Sequence, residues 1–188
     1  NELIGEGNFG KIFKGTIIKN NKKIAIKLEN RETNLLKIEA KIYNYLKDIE
    51  QVPTLYNYDN IEGYNYLIID LLEISLNEIS KNKENIRFFK ECINIIEHLH
   101  NKCLLHRDIK PDNFMLNFEK NRIFLIDFGL SKFYIKNNNH IIETNGKKLV
   151  GTAYYSSINV HNGIEYSRRD DIESLCYTLI SLYGIKIP

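Results

Sequence analysis

Residues 106–113 read His106-Arg107-Asp108-Ile109-Lys110-Pro111-Asp112-Asn113, and their types and spacing suit the transfer of a phosphoryl group. A carboxylate on a loop, Asp108, can accept a hydrogen bond from an incoming hydroxyl and aim its oxygen at phosphorus. Lys110 can steady the negative charge of the group in flight. Asn113 offers a neutral oxygen to a metal ion. Asp127-Phe128-Gly129 follows the strand-like run Ile123-Phe124-Leu125-Ile126. A carboxylate at a strand end, before a glycine that permits a sharp bend, suits Mg2+ bridging nucleotide phosphates.

Two further groups could complete such a site. Gly5-Glu6-Gly7-Asn8-Phe9-Gly10 is followed by Lys11 and Ile12, and glycines at these places let a backbone approach phosphates closely. The motif alone leaves phosphate binding and a plain hairpin turn both open. Its context separates it from a dinucleotide-binding loop, because the glycines lead into a strand-like stretch rather than a helix. The other group is Lys27 with Glu39. In Ile24-Ala25-Ile26-Lys27-Leu28, Ala25 and Lys27 share one strand face. Glu39 falls in the helical stripe Leu35, Glu39, Ile42, Leu46, where a carboxylate needs a partner. Lys27 is that partner, unless both charges are simply solvated.

Elements must position these groups. Residues 9–18 and 24–28 have strand character, 34–47 helical spacing, and 64–69 strand character again. A helix is expected from about 84, with Phe89, Ile93 and Ile96 on one side, then short strands near 114–116 and 123–126 and a last helix over 170–182. The class is α+β, a β-rich lobe with one helix preceding a mainly helical lobe. The 188 residues are 43% hydrophobic, enough for one domain with a sizeable core or for two small lobes sharing an interface. With 26 Lys+Arg against 24 Asp+Glu, the charge gives no reason to expect a nucleic acid or membrane partner. No run reaches the roughly 20 apolar residues of a membrane span. Cys92, Cys103 and Cys176 lack metal-site spacing and read as reduced, buried thiols of a cytoplasmic or nuclear protein. His98, His100, His140 and His161 read as surface or core residues rather than ligands.

The order of glycine loop, Ile-Ala-Ile-Lys, helix Glu, His-Arg-Asp-x-Lys-Pro-x-Asn and Asp-Phe-Gly resembles that of protein kinases. The stretches 37–43 (KIEAKIY), 106–114 (HRDIKPDNF) and 151–175, with Ser157-Ile158-Asn159 where most kinases have Ala-Pro-Glu, resemble the casein kinase I family over essentially the whole chain. Vaccinia-related kinases match less well and typically have Gly where Arg107 stands. The resemblance implies a two-lobed protein-kinase fold in a single domain over 1–188, with an N-lobe at 1–69 and a hinge and partial C-lobe at 70–188. It implies a serine/threonine kinase that uses ATP and Mg2+, takes protein substrates and acts as a monomer. Asp108, Lys110 and Asn113 would be catalytic, and Asn113 and Asp127 would hold the metal. ATP would lie against Ile4, Gly5, Glu6, Gly7, Asn8, Phe9, Gly10, Lys11, Ile12, Ala25, Lys27 and Glu39. Ile69 would be the gatekeeper and Leu72 the hinge residue. Lys110 with Gly151 and Thr152 points to Ser/Thr acceptors, and Asp171 would brace the catalytic loop.

The chain departs from the family pattern in three ways. Tyr154 stands where an Arg usually helps to bind a pre-phosphorylated substrate, although Lys147, Lys148 and Arg168 could still form an anion site. Glu73 and Ile74 replace a usual Gly-Pro. The family continues into further helices, so the chain reads as truncated after the helix beginning near Asp170. Ser131, Tyr134 and Thr144 could be phosphorylated opposite Arg107, although the resemblance implies activity without that step. Two other readings stay open: a kinase-like fragment that only binds nucleotide or protein, and a small-molecule phosphotransferase of related fold.

Overall fold

A computed structural model describes residues 2–7, 10–79 and 86–187. Five antiparallel strands form the first sheet: β1 (Glu2–Gly7), β2 (Gly10–Ile17), β3 (Lys22–Asn30), β4 (Leu55–Ile61) and β5 (Tyr64–Asp70), in the order β1-β2-β3-β5-β4. Helix α1 (Leu35–Tyr45) leaves β3 and packs across β3, β4 and β5. Its buried residues are Leu36, Glu39, Ala40, Ile42 and Tyr43, at spacings of three and four that share one helix face. Leu36, rather than the expected Leu35, begins that face.

The second half opens with the two-residue strand β6 (Ile74–Ser75) and helix α2 (Ile86–Asn101). Strand β7 (Leu104–Leu105) follows, then the hairpin β8 (Phe114–Asn117) and β9 (Arg122–Leu125), with β6 beside β8. Short ribbons pair β10 (Lys132–Phe133) with β7, and β11 (Ile135–Lys136) with β12 (Asn139–His140). Helices α3 (Ile158–His161) and α4 (Arg168–Leu182) complete the described chain. At the start of α4 the Asp170 carboxylate reaches back to Ser167, accepting from its amide at 2.7 Å and from its hydroxyl at 3.2 Å. The α+β class and the succession of a β-rich half and a helical half are as the sequence predicts.

One apolar core runs through both halves. It joins Ala25, Leu36, Leu46 and Leu67 to Ile95, Leu99, Phe114, Phe128 and Leu175. Side chains such as Leu46 and Ile95 are fully buried, and each such burial contributes about 1.5–3 kcal/mol. The α2 stripe is Phe88, Cys92, Ile95, Ile96 and Leu99, whereas Ile93 is half exposed. The expected frame through Phe89 and Ile93 is therefore off by one residue, because the doublets Phe88-Phe89 and Ile95-Ile96 let two neighbouring frames look apolar. Of the three thiols only Cys92 is fully buried; Cys103 is partly exposed and Cys176 is exposed, against the expectation. Among the described residues no helix is long and apolar enough to cross a membrane.

Candidate active site

Between the two halves lies a cleft of about 530 Å3. It is lined by Ile4, Gly5, Glu6, Gly10, Lys11 and Ile12 from β1 and β2, by Lys27 and Glu39, and by Lys110, Asn113 and Asp127 from below. Asn8 and Phe9 lie outside the described residues. Gly7 pairs with Gly10 where β1 meets β2. Gly10 adopts φ +116°, and a Cβ there would come within 1.8 Å of the Leu28 carbonyl oxygen, so only glycine lets β2 start this close to β3. Ala25 and Ile69 oppose each other in the β3–β5 ladder and are buried, as is Leu72. These three do not contribute to the cleft lining named above.

Lys27 projects from β3 toward α1. Its ammonium lies 2.6 Å from Glu39 Oε1 and 3.6 Å from Asp127 Oδ1. Burial opposes the lysine charge, but the two carboxylates outweigh it and raise the Lys27 pKa. Burial also pushes the Glu39 carboxyl up, against the pull of Lys27. The helical stripe thus carries a carboxylate on its buried face because the strand supplies a cation there.

Asp108 is almost fully buried, and every neighbour is a donor. Oδ1 accepts from the Thr152 amide at 2.8 Å and the Thr152 hydroxyl at 2.7 Å. Oδ2 lies 2.8 Å from the Lys110 ammonium and 3.3 Å from Asn113 Nδ2. Burial raises the Asp108 pKa, but these bonds and the Lys110 charge outweigh it and hold the carboxyl below the usual carboxylate range. Lys110 reaches Thr152 Oγ1 at 3.0 Å as well, so the three side chains form one cluster. Asn113 also donates to the Asp108 carbonyl at 2.8 Å. Its nitrogen is thereby occupied, and its oxygen is the atom free to face a cation. Asp127 supplies a second oxygen donor from a backbone at φ +68°. Among the described residues no cluster of three or more His, Cys, Asp or Glu could hold a metal ion. Two hard oxygen donors facing a cleft fit Mg2+ that takes its other ligands from phosphate and water.

The loop carrying Asp108 is fixed from behind. Asp171, with no exposed surface, accepts from the His106 amide at 2.9 Å, the Arg107 amide at 3.0 Å and His100 Nε2 at 3.0 Å. This is the brace the resemblance implies. Arg107 itself sits at φ +68°, a costly conformation for a residue with a Cβ. The His106 ring reaches the Ile126 carbonyl at 3.0 Å through Nε2, and its Nδ1 accepts from the Asp108 amide at 3.3 Å. In that pattern Nε2 carries the donated hydrogen and Nδ1 is the acceptor. Phe128 packs edge-on against both His106 and Tyr43, tying the lower loop to α1.

The anion group expected from Lys147, Lys148 and Arg168 does not assemble. Lys147 and Lys148 line a smaller cleft with Arg107 and Lys132. Within it Glu165 pairs with Lys132 at 2.8 Å and Lys147 at 3.3 Å. Arg168 instead lies 4.9 Å from the Tyr134 ring centroid, beside a separate cleft. Tyr134 is buried with its hydroxyl on the His100 carbonyl, and Arg107 Nε donates to the Leu130 carbonyl at 2.6 Å. Both are already engaged, which disfavours phosphorylation of Tyr134 opposite Arg107. Sequence reasoning missed Ser75, Glu78, Asp112, Met115 and Ile126 in the cleft wall. One signal was available: Ser75-x-x-Glu78 has capping-box spacing, and Glu78 Oε2 accepts from the Ser75 amide and hydroxyl at 2.8 and 2.9 Å.

The profile of the protein kinase domain matches residues 1–188. The chain belongs to the protein kinase family. It is 40% identical, over 199 aligned positions, to a protein of Encephalitozoon cuniculi (strain GB-M1) named "Probable casein kinase I homolog". The alignment covers 98% of this chain and 62% of that relative, so the kinase domain described here spans about three-fifths of the relative's length. The likeness bears out the casein kinase I resemblance, and the sheet, the cleft and the helical half are those of a kinase domain.

Proposed function

We propose that this kinase domain transfers the γ-phosphate of Mg2+-ATP to Ser or Thr hydroxyls of protein substrates. The observation that carries the reading is the set of contacts around Asp108: a buried, charged carboxylate held between Lys110 and the Thr152 hydroxyl. The nucleotide's phosphates would lie under the glycine-rich β1–β2 turn, gripped by Lys27 against Glu39. Asn113 and Asp127 would hold the metal, which when bound neutralises charge on the phosphates. Asp108 orients the acceptor hydroxyl in line with phosphorus. Its depressed pKa makes it a weak base, which suits a loose transition state needing little proton removal before the bond to phosphorus forms. Lys110 stabilises charge on the phosphoryl oxygens. Thr152, hydrogen-bonded to Asp108, places the acceptor-side segment against the catalytic loop, and this arrangement supports Ser/Thr acceptors.

The test is transfer of labelled γ-phosphate from ATP to casein and to Ser-, Thr- and Tyr-containing peptides by the 188-residue chain. Labelling of Ser and Thr by the wild-type chain is expected. Binding of ATP without transfer would leave only a nucleotide-binding module. Faster labelling of small alcohols than of peptides would make it a small-molecule phosphotransferase.

A further inference from the structure

We propose that Glu29 is a positioning residue for phosphoryl transfer: a carboxylate on β3 that caps the N-terminus of α1 and so holds Glu39 against Lys27. The proposal rests on the reading of the cleft as an ATP site. Glu29 is buried, only 3% exposed. Burying an acid is costly unless its oxygens are satisfied, and those of Glu29 are met by neutral donors. Oε1 accepts from the Leu36 amide at 2.9 Å and from Asn65 Nδ2 at 3.1 Å, and Oε2 accepts from the Thr33 hydroxyl at 2.8 Å.

The Leu36 amide belongs to the first turn of α1, where backbone N–H groups lack helical partners. The usual provisions are missing there. Asn34, at the N-cap, makes no side-chain capping bond, and the first turn contains no acidic residue. The cap and the negative charge that favour a helix start both come from a strand instead.

Geometry makes this a matter of catalysis as well as stability. Lys27 and Glu29 are two apart on β3 and share a face, and Leu36 and Glu39 are three apart on α1 and share a face. The strand therefore holds the helix at two points, Glu29 to the Leu36 amide and Lys27 to Glu39. Lys27 holds the middle of α1 and the Tyr43 and Tyr45 hydroxyls its C-terminal end, so Glu29 is what fixes the N-terminal end. Asn65 on β5 and Thr33 in the β3–α1 connection fix the carboxylate so that it cannot follow a moving helix.

The experiment compares Glu29→Ala and Glu29→Gln with the wild-type chain by segment-resolved amide hydrogen exchange and by ATP kinetics with a Ser peptide. Glu29→Ala is expected to speed exchange in α1 about tenfold, the size of a lost helix cap, and to leave α2 and α4 unchanged. It should lower kcat/KM for ATP by a similar factor. Glu29→Gln, whose amide oxygen can still accept from Leu36 and Asn65, should recover most of both. If Glu29→Ala does not fold, Thr33→Val, which removes one donor, should speed α1 exchange selectively by roughly fivefold. Unchanged exchange in α1, a uniform rise along the chain, or a Gln variant as loose as Ala would overturn the proposal. Absence of phosphate transfer by the wild-type chain, together with selective loosening of α1 in Glu29→Ala, would refute the kinase activity while upholding Glu29 as the anchor of α1.

Discussion

The catalytic loop and helix α1 each bring a carboxylate to the cleft, and they are secured in different ways. The loop is tied from several directions: Asp171 on α4 holds two of its amides, His106 grips Ile126, and Thr152, Lys110 and Asn113 surround Asp108. Helix α1 meets its polar anchors at a few points: Glu29, Lys27, the Tyr43 hydroxyl, which accepts from the Asp127 amide at 3.4 Å, and the Tyr45 hydroxyl, which donates to the Lys102 carbonyl at 3.1 Å. Asp108 is thus built into a cross-linked block, while Glu39 rides on a helix whose polar ties are fewer and spread along its length. Damage to the block should be felt as lost chemistry and lost stability together. Damage to the helix should be felt first as weaker nucleotide handling.

The sharpest test of that contrast is Asp108→Asn, which should reduce phosphoryl transfer by a factor on the order of 1,000 while nucleotide binding is retained. Transfer at the wild-type rate would remove Asp108 from the reaction. Asp171→Asn comes next. Its amide group cannot accept from all three donors, and each buried donor left unmet costs about 1–3 kcal/mol. Urea unfolding should show the loss, and activity should fall with it. Glu39→Gln should weaken Mg2+-ATP binding about tenfold with little effect on unfolding, because Lys27 keeps Asp127 nearby; equal losses of stability in Glu39→Gln and Asp171→Asn would dissolve the contrast.

Acid titration separates the regions further. The folded pKa of Asp108 is depressed, so the stability it contributes is fully present above its ordinary value of about 3.9 and is lost as pH falls through the lower folded value. Unfolding curves at about pH 5, 4 and 3 should therefore show a shallower acid decline in Asp108→Asn than in the wild-type chain. The smallest effect is expected from Tyr154→Arg. Tyr154 is exposed beside Tyr155, and restoring the arginine of the family pattern should favour phosphoserine-containing peptides in a peptide-library assay without altering turnover of plain ones.

Much of the site was legible because its chemistry sits in short contiguous strings: 106–113, 127–129 and the glycine loop. What the sequence hid lay in side chains whose direction depends on packing. Glu29, between Leu28 and Asn30, belongs to no motif, and its burial follows only once α1 is laid over β3. Strand β4, Leu-Tyr-Asn-Tyr-Asp-Asn-Ile, is an edge strand with mostly exposed or half-exposed residues, so it lacks the apolar alternation that marks an inner one. The α2 frame slipped because paired apolar residues satisfy two helical registers at once. Charge alone groups Arg168 with Lys147 and Lys148, whereas packing stacks its guanidinium on Tyr134.

Gly151 carries a last consequence. At φ +91°, a Cβ on it would lie 2.2 Å from the Arg107 carbonyl oxygen and 3.3 Å from Asp108 Oδ1. The spacing between the segment at Gly151 and the loop carrying Asp108 is therefore ruled by two main chains in contact. Evolution cannot adjust that spacing by exchanging side chains at position 151. On the proposed reading, variation in substrate choice is pushed outward to exposed neighbours such as Tyr154, which can change without altering that spacing.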